Sequence, residues 1–176
     1  MPTVHAWHFT GPQLKDGRAI PPVGETLRHD GAMMICHNGF HASERVIDAL
    51  QYAPGNIIHR VRMSGEVIRQ DDKLCARERT ILWSFNGEKV LRDFARAQAR
   101  SVLHLWAAPE IVKRYLETGD EGIRDAAWDA AWAAAGAAAR DAAWAAARAA
   151  AGAAANKELE RLILDAANQQ IETEIA

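Results

Sequence analysis

Residues 125–156 most narrow what this chain can fold into: DAAWDAAWAAAGAAAR is followed at once by DAAWAAARAAAGAAAN. Thirteen of sixteen positions match, which marks a duplication, and every fourth residue is Trp, Gly, Arg or Asn. Alanine has the highest helix propensity, so the tract predicts helix with little help from packing. Unbroken, its 32 residues would span roughly 48 Å. A stripe of period four precesses by about 40° per step on a helix of 3.6 residues per turn. Trp128 and Trp132 are thus expected near one another, against the preceding helices. Trp144, turned about 160° away, is expected to be exposed or in an intermolecular contact. The alanines, with Gly136 and Gly152, would let another backbone approach closely.

Upstream the pattern is different. VHAWHF (4–9) alternates, with His5, Trp7 and Phe9 on one face and Val4, Ala6 and His8 on the other. Residues 11–25 are rich in Gly and Pro and read as loop. AMMIC (32–36) fits a short buried strand, and Asn38-Gly39 a turn. Ser43 and Glu44 can open a helix reaching Ala49 or Tyr52, which Pro54-Gly55 ends. NIIHRVRMSGEVI (56–68) reads as a strand, a turn near Gly65 and a second extended piece, and TILWSF (80–85) as another strand. From Glu88 the period becomes helical, through Val90, Leu91, Phe94, Val102 and Leu105. Pro109 restarts a helix that Gly119 stops. The chain therefore reads as α+β, with a strand-rich domain at 1–122 and a helical arm at 123–176. The arm's last residues regain Leu159, Leu162, Ile163 and Ile171 at helical spacing.

Charge narrows the partners. Residues 1–124 carry 17 Lys/Arg against 15 Asp/Glu, and residues 125–176 carry 4 against 8, so neither part is basic enough to track a phosphate backbone. A nucleic-acid partner is not expected. Asp129, Arg140, Asp141 and Arg148 interrupt the alanine tract, so no membrane span is expected. Two cysteines and an N-terminus without a secretion pattern point to a soluble, cytoplasmic protein.

The polar residues do not form a known catalytic motif. His5 and His8 would point to opposite faces of a strand, and neither Cys36-His37 nor His41 has a second cluster at zinc spacing, so no metal is expected. Asp71 and Asp72 read as an exposed turn. His41 and Ser43 stand too close along the chain to presume a base and its nucleophile. Ser43 instead suits a helix cap, Gly39 the turn, and His41 local packing. Trp132, Arg140, Trp144 and Arg148 have two readings: an interaction surface, since Trp and Arg anchor interfaces, or a repeat that expanded because Ala-rich helices tolerate length change.

AWHF, HDG (29–31), the Cys36-to-Ser43 motif ending GFHAS, IDALQYAPG (47–55), GE (65–66) and DDKL-x-A (71–76) together resemble an uncharacterised domain family of bacteriophages and prophages. In that family the motif-bearing domain is often followed by low-complexity alanine repeats with Trp, Arg and Asp, or by other short polar repeats. The resemblance implies a phage origin and brings no catalytic residue. The order of a His-bearing strand, a G-aromatic-x-x-Ser corner, a short helix and a returning strand also resembles the ADP-ribosyltransferase layout. That resemblance implies His8 at a nicotinamide ribose, His41 and Ser43 in the pocket wall, and Glu66 or Glu78 as catalytic acid, although no Gln/Glu-x-Glu motif is present. The expectation is a non-enzymatic phage accessory protein without a cofactor. It would act in the cytoplasm of the infected bacterium and contact itself or a host protein through the arm. The alternative is a small NAD-using transferase.

Overall fold

The alternating apolar run at the start forms strand β1, Val4–Thr10, and it lies antiparallel to a longer strand, β4, Ile57–Arg69. In the computed structural model, residues 3–134, 141, 143–145, 147–148 and 152–175 are described, the last five by their backbone. Strand β4 turns through Gln70 and Lys73 into β5, Leu74–Asn86, and this hairpin is the centre of the sheet. Two three-residue strands, β2 (Thr26–Arg28) and β3 (Phe40–Ala42), share the outer edge of β5. Past β3, Ser43 meets β1: the Trp7 N–H donates to Ser43 O at 2.7 Å and the Ser43 N–H to Trp7 O at 3.0 Å. The sheet therefore curls until its two ends touch. Ala6, Ala42 and Ala76 leave room for that curl, packed with Val61, Met63, Leu74 and Ile81.

The chain divides into two compact units. One comprises residues 1–88 and 158–176, and the other residues 89–157, whereas composition alone placed a boundary after residue 122. In the first unit, Trp7 is fully buried beneath the Arg60 guanidinium (4.5 Å) and meets the edge of Trp83 (5.7 Å). Helix α1, Val46–Gln51, packs on β1. The carboxylate of Glu160 acts on Arg60, which brings the last helix (α5, Ala153–Ile175) to that face. Its Leu159 and Ile163 are fully buried, worth roughly 2 kcal/mol each.

In the second unit, α2 (Glu88–Ser101) leads to α3 (Glu110–Thr118) and α4 (Arg124–Ala133). Pro109 is the N-cap of α3, and Gly119 closes it at φ 65°, a left-handed conformation that favours glycine. Ala127, Ala130 and Ala131 pack α4 against Val112 and Leu116 of α3. This corrects the expected role of the indoles: the alanine face makes the contact, because it lets the helices approach closely. Trp128 and Trp132 are left 69% and 76% exposed. Helix α4 ends at Ala133 with Ala134 as its C-cap, Gly152 is a bend, and α5 begins at Ala153.

Three local expectations change. AMMIC is no strand: Met34 pairs with Asn38 around a tight turn, Cys36 at its tip has φ 70°, and Met34 is 55% exposed. Helix α1 starts at Val46, after an N-cap residue, Arg45, that makes no side-chain cap. Ser43 is therefore not its cap, and its backbone closes the sheet instead. Gly39 does make the turn, at φ 87°, with Cys75 Sγ 2.6 Å from where a Cβ would stand. We predict that Gly39→Ala destabilises the protein by at least about 1 kcal/mol, since it adds both a left-handed strain and a clash. Urea unfolding monitored by tryptophan fluorescence measures this, and an unchanged midpoint would disprove it.

Candidate functional site

Three neighbouring strands place polar side chains in one row across the face that carries Val61 and Met63. Strand register sets His8 of β1 opposite His59 of β4, and His59 opposite Ser84 of β5. The His8 and His59 rings stack with centroids 5.9 Å apart. His59 is fully buried, and both ring nitrogens are engaged: Nε2 with Thr10 Oγ1 at 2.9 Å and Nδ1 with Ser84 Oγ at 2.6 Å. A neutral imidazole suits this arrangement, since one nitrogen donates and the other accepts. Burial, and next the Arg79 charge, lower the His59 pKa to about 4. Burial and the Arg79, His59 and His41 charges hold His8 well below the usual histidine range.

Arg79 lies farther along the same face, opposite Met63 of β4, and its charge reaches both histidines. It is buried, with its guanidinium 5.2 Å from the Phe40 ring and its Nη1 donating to His41 O at 3.3 Å. Desolvation, then the charge of Arg18, lower its pKa to about 10, and Asp16 opposes the shift. Exposed Asp16 and Arg18 already pair with each other at 2.7 Å.

The residues singled out from the sequence are distributed unevenly around this cluster. His8 belongs to it. His41 is half-buried and is used locally, as expected: its Nε2 accepts the Cys36 N–H at 2.8 Å, and its ring also hydrogen-bonds the Gly39 backbone. Ser43 contributes its backbone at the closure. Glu66 is exposed and pairs with Arg77 at 2.7 Å, seven residues beyond His59 on β4 and thus roughly 20 Å away along the strand. Glu78 accepts from Ser64 Oγ at 2.8 Å and pairs with Arg28 at 3.2 Å. One residue from Arg79 along β5, Glu78 points to the opposite face. Neither glutamate joins His8, so the acid of a transferase site is not assembled there. Trp144 is 67% exposed and Arg148 is exposed, whereas Arg140 lies outside the described residues.

Sequence reasoning missed Thr10, His59, Arg79 and Ser84. The available signal was His59 itself, an imidazole in the inward series Ile57, His59, Val61, Met63. Among the described residues, no three His, Cys, Asp or Glu side chains form a metal-binding group, and no helix is long and apolar enough to cross a membrane. Asp72 of the expected acidic turn accepts a short hydrogen bond from the Tyr52 hydroxyl.

Among known families, residues 4–93 match the one described as Domain of unknown function (DUF7666). The chain belongs to this family. The DUF7666 segment runs from the first residue of β1 into α2 and contains every member of the polar row, while the alanine repeat lies outside it. A search of the curated proteins finds no match for the chain, and neither does a search of the solved structures.

The buried histidines are expected to make the stability of this chain pH-dependent. His59 titrates near 6.5 when unfolded and at about 4 when folded, so between those values the unfolded chain holds a proton the native state refuses. Stability is whole above pH 6.5 and falls as pH drops through the window, by about 3 kcal/mol at its acid end. His8 acts in the same direction. The urea midpoint should decline between pH 7 and 5, and decline less in His59→Gln. An equal decline in that variant would assign the effect to other groups.

Proposed function

We propose that the chain is a non-enzymatic phage accessory protein, an interaction module that contacts itself or a host protein through its alanine-rich segment. The supporting observation is the exposure of Trp128, Trp132 and Trp144, 67–76% of each, on helical turns rich in alanine. An indole in water leaves a large apolar area uncovered, and tryptophan is enriched among the residues that dominate interfaces. Beside Trp128, an apolar groove of about 570 Å³ is walled by Leu103, Trp106, Val112 and Tyr115. The phage assignment rests on the motifs from AWHF to DDKL-x-A, and the bacterial cytoplasm as the place of action follows from it. The separation of Glu66 and Glu78 from His8 weighs against the alternative of an NAD-using transferase.

Replacing Trp128, Trp132 and Trp144 together by alanine tests this reading. The substitutions are on exposed positions and favour helix, so the melting temperature should be unchanged. The parent should sediment above its 19.3 kDa chain mass, alone or with a purified host partner, and the triple variant should not. Phage yield should fall with it. A parent that sediments as a lone chain, with a phage indifferent to the substitutions, would refute the proposal.

A further inference from the structure

Arg79 is 5% exposed, yet among the described residues no carboxylate lies within ion-pair distance of it. Its Nε is buried without a hydrogen-bond partner, and its one bond, from Nη1 to His41 O, is long at 3.3 Å. Arg77, two residues away, shows the usual outcome: its guanidinium donates to His29 O and Gly31 O and pairs with Glu66. Burying a cation with one long hydrogen bond, an aromatic wall and no counter-charge is costly, and an anion would answer both the charge and the free Nε–H.

The surroundings define which anion. The His8 imidazole, partly exposed and without a hydrogen bond among the described residues, has an N–H to give. It shares the sheet face with Arg79, and burial together with the Arg79 charge keeps it neutral. The charges of Lys15, Lys73 and Arg79 all act on His41, and Arg18 and Asp16 act on Arg79. Arg18 and Asp16 pair with each other, so the charge left around His41 is that of Arg79, Lys15 and Lys73, which favours a ligand with nearly two negative charges over a singly charged carboxylate. A planar guanidinium fork matches phosphate oxygens. Thr10 and Ser84 hydroxyls are occupied in holding His59, so they fix the stacked His8 ring instead of meeting the ligand.

We propose that Arg79 and His8 form a binding site for the phosphoryl group of a small ligand. The guanidinium supplies charge and paired donors, the neutral imidazole a further N–H, and the Phe40 ring one wall. This site is independent of the tryptophan surface and stands or falls separately from it.

Titration of the full chain with inorganic phosphate, against chloride at equal ionic strength, tests the proposal by calorimetry and thermal shift. The parent should show saturable one-to-one binding and a rising melting temperature. His8→Asn should weaken binding by about tenfold, as expected for one hydrogen bond to a charged group. Arg79→Lys keeps the charge but loses the fork and should abolish saturable binding, whereas Arg62→Gln, on an exposed cation of β4, should leave it intact. If Arg79→Lys does not fold, His8→Asn and Arg62→Gln decide the matter. Absence of saturation in the parent, equal affinity in His8→Asn, or tighter binding of acetate than of phosphate would overturn it.

Discussion

Two backbone hydrogen bonds between Trp7 and Ser43 set the form of the strand-rich unit. They join the first strand to the chain just past β3, although β3 itself pairs with β5, on the other side of the β4–β5 hairpin. To bring those ends together the sheet must curl, and several local features serve the curl. Gly39 takes a left-handed turn against Cys75 Sγ, where no Cβ would fit. His41 ties the turn at Cys36 to the start of β3. Alanines at 6, 42 and 76 keep the enclosed space small. The GFHAS corner is thus a closure device, and its residues act through backbone position, ring packing and lack of bulk.

Curling a sheet encloses one of its faces, and enclosure changes the cost of every polar group there. His59 is enclosed and satisfied, with a hydroxyl at each ring nitrogen, so its stable form is neutral. Arg79 is enclosed with its Nε unpartnered and no carboxylate beside it among the described residues. The contrast is chemical: an imidazole can shed its charge at a cost set by its pKa, but a guanidinium remains charged even with its pKa lowered to about 10. The same burial that silences two histidines leaves the arginine as the charge that must be answered from outside the chain.

Much of this architecture was legible where the information is local. The alternation of VHAWHF gives β1, NIIHRVRMSGEVI and TILWSF give most of β4 and the second half of β5, and Pro109 with Gly119 bounds α3. Gly65, expected at a turn, lies instead at φ 78° within the continuous β4, where its register shifts. What escaped was non-local or too short to carry a period. Strands β2 and β3 have three residues each and exist through their pairing with β5. AMMIC is apolar in composition, but the Met34–Asn38 pairing bends it into a turn. Ser43 had the side chain of a cap, and pairing with Trp7 drew it away from the helix start. The polar row depends on register across three strands, so only its individual residues, His8 and the inward His59, could be read beforehand.

The alanine repeat shows how helix propensity and burial separate. Propensity favours helix in alanine, but close packing uses whichever face lets two backbones approach, and on α4 that is Ala127, Ala130 and Ala131. A bulky indole at 128 or 132 would hold the helices apart if it lay between them, so it is turned outward, where its apolar area has no cover from α3. The polar row has the reverse problem, a charge without water. One lies inside residues 4–93, the segment shared with the DUF7666 family, and the other outside it. Loss of either should therefore leave the other intact, because the two deficits are of different chemistry and sit on different parts of the chain.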